Sequence, residues 1–216
     1  MPPAPDLRTN HGTWAIATAQ VAALAYRMVN VLPTEAYDPN FRGQYLETTY
    51  FDTAGLALLR ARRRKSKYLT LRVRCYAPPY DPGSPRQNQA EAYALSVKTE
   101  AQKFRTVLPR DQAEMLLGSG LPVGFWPDFL PADLVARLMD LVGDQPLQPV
   151  VTVCARRYVV EDARDRLTLD VAIQTDTGKW YPSAVLEYKC TQPAGAPPLV
   201  VPGRPIKLSK FVWSMS

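Results

Sequence analysis

Leu71-Arg72-Val73-Arg74-Cys75 alternates apolar and cationic residues with a period of two. Successive side chains of a strand point to opposite faces, so Leu71, Val73 and Cys75 share one side and both arginines the other. The same segregation recurs further along the chain. Leu95 and Val97 oppose Lys98 and Glu100; Leu167, Leu169 and Val171 oppose Arg166 and Asp170. Glu187 and Lys189 share a face in Val185-Leu186-Glu187-Tyr188-Lys189, although there Val185 falls on the charged side.

Working outward, runs rich in Val, Thr, Tyr and Leu predict strands over 45–51, 68–76, 93–100, 150–160, 167–173 and 184–189. Helices are expected from Thr18 to about Val31, around Met115 and Leu116 after Pro109, and from Pro131 to Val142 with Gly143 just past the end. Residues 1–10 read as a loose arm and 11–216 as one α+β domain, with 78–89 a loop. Two architectures fit the charged faces. One is a half-exposed antiparallel sheet with its charges in water. The other is a β-barrel with a polar, basic interior and helices packed outside, in which low local dielectric strengthens attraction for an anion.

The 216 residues carry 26 Lys and Arg against 20 Asp and Glu, a net charge of +6 that favours phosphate-bearing partners or an anionic surface. Cys75, Cys154 and Cys190 are scattered and odd in number, which points to a reducing compartment. No segment reads as a signal peptide or membrane span, so the expected location is the cytoplasm. No phosphate-binding glycine loop, zinc-spaced Cys/His set or nucleophile elbow is present.

The ordered segments Tyr50-Phe51-Asp52-Thr53, Leu71 to Tyr76, Ala94 to Glu100, Arg166 to Asp170 and Leu186 to Lys189 resemble the catalytic domain of the vacuolar transporter chaperone (VTC) complex. That domain is a polyphosphate polymerase of the triphosphate tunnel metalloenzyme, CYTH-like, superfamily. The resemblance implies an eight-stranded antiparallel barrel holding a phosphate chain with Mn²⁺ or Mg²⁺. It implies phosphate-binding roles for Arg72, Arg74, Lys98 and Arg166, further contacts from Lys207, Ser209 and Lys210, and a metal ligand in Glu187. It also implies an interior arginine before the second half. Strand parity groups Arg157 with Val151, Val153 and Val159, so Arg156 is the expected one.

Two departures stand out. The stretch Thr9 to Ile16 lacks the charged pair that opens the family's first strand, and Ser96 stands where an acidic residue is common. The expected activity is transfer of the terminal phosphoryl of a nucleoside triphosphate to a polyphosphate chain. The alternatives are hydrolysis of an inorganic or RNA 5′-triphosphate, and a non-catalytic polyphosphate- or nucleotide-binding subunit. Any attachment to a membrane would come through a separate membrane-protein partner. The run Arg60, Arg62, Arg63, Arg64, Lys65 and Lys67 leaves a tunnel mouth, a nucleic-acid contact and an anionic-lipid patch all open.

Overall fold

The period-two segments form antiparallel strands in the computed structural model, which describes residues 9–34, 38, 40–64, 67–79, 92–192 and 196–216. The strands are β1 (Thr9–Ile16), β2 (Gln44–Asp52), β3 (Leu69–Pro79), β4 (Ala92–Thr99) and β5 (Lys103–Leu108), then β6 (Gln148–Glu161), β7 (Asp165–Thr175), β8 (Ala184–Cys190) and β9 (Arg204–Pro205). They make one sheet in the order β5-β4-β3-β2-β6-β7-β8-β1-β9. The expected α+β architecture with helices outside holds, but the barrel does not: among the described residues the sheet has nine strands and its ladder stays open at β5 and β9. The ninth strand is the chain returning after β8 to lie along β1, where Trp14 pairs with Pro205 and Ala15 with Arg204. Pro205 has no N–H to donate, which helps keep this edge short.

The outer face is covered in two places. Leu71 and Val73 of β3 and Leu95 and Val97 of β4 pack beneath α2 (Ala57–Arg64), α3 (Arg110–Ser119), α4 (Trp126–Phe129) and α5 (Ala132–Val142), around the fully buried Trp126. Leu167, Leu169, Leu186 and Tyr188 pack beneath α1 (Val21–Val31), which contributes Leu24 and Met28. A short 3₁₀ turn, Thr18–Gln20, precedes α1, and no side chain caps either element, so Thr18 is not the cap its residue type suggests. Asp52 ends β2 and turns the chain into α2: its carboxylate accepts hydrogen bonds from the backbone N–H of Thr53, Leu58 and Leu59. The bonds from Leu58 and Leu59 satisfy donors at the start of α2 that have no partner within the helix.

The inner face is mixed. Tyr50, Val151, Val153, Ile173 and Val185 pack together with Phe211 of α6 (Lys210–Ser214), whose ring stacks on Tyr50 at 4.9 Å between centroids and 12° between planes. They form an apolar floor beneath a polar region. Val185, anomalous in the alternation of its strand, belongs to this floor. The cysteines are free thiols. No helix among the described residues is long and apolar enough to cross a membrane.

Candidate functional site

Register fixes which side chains face inward. Arg74 lies opposite Thr48 and Arg72 opposite Tyr50 across β2–β3; Arg72 lies opposite Ser96, and Ser96 opposite Arg105, across β3–β4–β5. Arg157 faces Asp170 across β6–β7, Arg166 faces Lys189 and Thr168 faces Glu187 across β7–β8. The register shifts at several points, and the bulges in β7 and β1 adjust this face. In β7 the extra residue is Ala172, whose φ is 51°, so Asp170 and Ile173 both point inward despite their odd spacing. In β1 the register slips between Asn10 and Gly12, placing Asn10 beside Lys189 and Thr13 beside Glu187. A side chain at Gly12 would displace the Trp14 ring, which lies against the position its Cβ would take.

Asp170 is the anionic centre of the interior. Arg157 grips it with two parallel bonds, Nε to Oδ1 at 2.6 Å and Nη2 to Oδ2 at 2.8 Å, and Lys210 at the start of α6 donates to Oδ2. The Asp170 side chain is 5% exposed. Burial alone would raise its pKa, but Arg157 and Lys210 outweigh that and hold the carboxyl well below its usual range. Glu187 behaves in the same way. Burial opposes its charge, yet Lys189, Arg157 and Lys210 keep it below its ordinary value. Its Oε1 accepts from Asn10 Nδ2 at 3.0 Å and lies 4.0 Å from Lys189 Nζ.

Cations dominate the rest of the face. Arg74 donates from Nε to Thr48 Oγ1 at 3.0 Å, and its guanidinium lies 5.8 Å from the Tyr76 ring; Arg105 approaches the same ring at 5.1 Å. Among the described residues Arg72, Arg74, Lys103 and Arg105 make no ion pair with a carboxylate. Desolvation, followed by the like charges of Arg72 and Arg157, lowers the Arg74 pKa to about 10. Lys103 opens β5 and keeps solvent contact, yet partial desolvation and then the like charges of Arg72, Lys189, Arg74 and Arg105 push it down to about 7.

An unfolded lysine keeps its proton to about pH 10. Above pH 7, then, the unfolded chain binds more protons at Lys103 than the folded one, and the Lys103 contribution makes the unliganded protein more stable as pH rises from about 7 to about 10. A bound polyanion favours the ammonium and reverses this preference. Titration calorimetry with tripolyphosphate at about pH 8, in buffers of different ionisation enthalpy, should therefore show more proton uptake by the wild type than by Lys103→Met. Equal uptake would place Lys103 away from the ligand.

The site thus gathers Arg72, Arg74, Glu187 and Lys210, with Lys98 at its exposed margin beside Lys103 and Arg166 on the inward face, 3.5 Å from Glu161. The other three expected residues have different surroundings. Arg156 is on the outer face, where it donates to the Arg42 carbonyl and lies 5.3 Å from the Tyr158 ring. The Ser209 hydroxyl accepts from Val212 N at 3.4 Å and caps α6. Lys207 is exposed, while its neighbours Ile206 and Leu208 pack against the apolar floor. Sequence reading missed Arg157, Lys103 and Arg105 as inward cations.

Among the described residues no three of His, Cys, Asp and Glu gather closely enough to cage a metal. Both Asp170 oxygens are already held, which leaves Glu187. Hard cations at phosphate sites are commonly held by one or two carboxylates plus the phosphates themselves. The donor set therefore fits Mg²⁺ or Mn²⁺ only as a site completed by a bound phosphate chain.

No family model matches the sequence, and no curated protein matches it. Solved structures do. A candidate adenylate cyclase from Bacillus halodurans is 14% identical, with a TM-score of 0.52 over 83% of this chain and 79% of that one. A candidate adenylyl cyclase from Hippeastrum, described as having a dominant triphosphatase activity, is 15% identical, with a TM-score of 0.55 over 86% and 80%. The fold is the triphosphate tunnel fold. At these identities the likeness concerns the fold and leaves the more specific resemblance to the VTC domain as an expectation.

Proposed function

We propose that this chain binds a linear triphosphate, inorganic or carried by a nucleotide, along its basic interior and cleaves it as a triphosphatase. The observation that carries this reading is the convergence of Arg72, Arg74, Arg105, Arg157 and Lys210 from three strands and one helix onto one face, where cations outnumber the carboxylates Asp170 and Glu187. Guanidinium groups suit the task because each presents a rigid fork of donors to phosphate oxygens. Phosphoryl transfer asks little covalent chemistry of a protein. It asks for clamped oxygens, neutralised charge and alignment.

Glu187 and the bound phosphates would together hold the divalent cation, which neutralises phosphoryl charge when present. The Hippeastrum protein's activity supports hydrolysis over chain elongation. Elongation, expected from the VTC resemblance, would need donor and acceptor chains side by side, and no feature of the interior favours two chains over one.

Incubation with ATP or tripolyphosphate and Mn²⁺ or Mg²⁺ distinguishes these outcomes. Orthophosphate is the expected product. ADP with growing polymer would select the polymerase, tight binding without turnover would select a binding subunit, and no binding would reject the whole reading. Metal uptake gives an independent check. Mn²⁺ should bind weakly to the free protein and at least about tenfold more tightly with tripolyphosphate present, beyond what tripolyphosphate alone accounts for, a coupling of about 1.4 kcal/mol. Glu187→Gln should abolish that coupling while folding normally; an unchanged coupling would remove Glu187 from the metal site.

A further inference from the structure

The charge block from Arg60 to Lys67, most of it on α2 between β2 and β3, does not act as one unit. Arg62 lies over the Tyr68 ring at 3.7 Å, and Arg63 donates to the Met215 carbonyl at 3.2 Å, so these two serve packing. Lys65 lies outside the described residues. Arg60 and Arg64, one helical turn apart on α2, instead face α5 and, with Lys67, line an open groove of about 490 Å³. Ala57, Leu141 and Asp140 complete the wall. Arg60 donates to the Gly55 carbonyl, but no ion pair joins Asp140 to any of these cations. The groove is open and lies on the outer face, away from the inward cations of β3 and β6, with exposed charged side chains at its rim.

Three cations on one wall, an unpaired carboxylate on another and apolar surface between them describe a ligand with three corresponding parts. The cations call for a phosphate. A carboxylate accepts from a hydroxyl donor but repels a bare polyanion. Leu141 and Ala57 offer contact to a flat apolar group. We propose that this groove is a second, outer site for a nucleoside phosphate, its phosphate on Arg60, Arg64 and Lys67, its ribose hydroxyls donating to Asp140 and its base against Leu141 and Ala57.

Calorimetry with ADP tests this site apart from the interior when it is done in the Arg74→Ala background. ADP should still bind there; Arg64→Gln should weaken it about tenfold or more, and Asp140→Asn should narrow its advantage over 2′,3′-dideoxy-ADP. Both positions are exposed, so the variants should fold; Lys67→Gln, with a melting curve to confirm folding, serves as a second probe of the cationic wall. Loss of ADP binding with Arg74→Ala, indifference to both Arg64→Gln and Lys67→Gln, or inorganic phosphate binding as tightly as ADP would each overturn the proposal. Preferential binding of an RNA oligomer over ADP would overturn it in favour of a nucleic-acid surface.

Discussion

Replacing Asp170 with alanine should cost about 3 to 5 kcal/mol of folding stability, the scale found when one partner of a buried ion pair is removed. The cost is large because two cations are left behind. Arg157 and Lys210, with side chains only 13% and 20% exposed, would face each other and Arg74 with nothing between them. Urea denaturation of wild type and variant measures the loss directly. The triple change Asp170→Leu, Arg157→Met and Lys210→Met should recover much of it, since apolar replacement of a whole buried cluster is often neutral. A loss below about 1 kcal/mol for Asp170→Ala would mean that water screens the cluster, as it does surface pairs. The pH dependence has a definite sign. The folded carboxyl titrates below the unfolded one, so its contribution is complete above about pH 4 and falls away as acid approaches the folded value.

Arg74→Ala should do the opposite to the unliganded protein and strike binding instead. Its guanidinium is crowded by Arg72 and Arg157 and has no carboxylate partner among the described residues, so its removal relieves repulsion. Tripolyphosphate affinity should fall by about 1 to 3 kcal/mol, roughly 5- to 150-fold, the usual range for a charged hydrogen-bonding group. Thermal stability without ligand should hold or rise. The split between the two readouts is the diagnostic, because a purely structural arginine would lower both. Affinity unchanged in a folded Arg74→Ala protein would remove this residue from the ligand's path.

How much of this was legible in the sequence can be traced to single positions. The strand around Arg72 and Arg74 was readable because its opposite face is covered by helices, so apolar meant outward and charged meant inward. That rule reverses on β6. Val151 and Val153 face the interior as part of the apolar floor, and Arg157 shares their parity; grouping it with valines made it look like an outer residue and led to Arg156. On β7 the bulge at Ala172 resets the alternation, which no count of residues reveals. The β5 signal was present and overlooked: Lys103 and Arg105 flank Phe104, which packs outward, the same pattern in a shorter run. Ser209 reads in the sequence as a phosphate contact, and its role in capping α6 follows from the position of Val212 N, which the sequence does not show. The open ladder is a long-range outcome. It depends on where the returning chain at Arg204 lies against β1, many residues after the alternation ends.

Lys210 and Phe211 are neighbours in a five-residue helix, one held by Asp170 and the other stacked on Tyr50. The position of a positive charge is therefore set by how well two rings fit together. Trimming either ring would shift an ammonium group without touching any ionisable residue, and a survey of weakened variants would return greasy positions among its electrostatic defects.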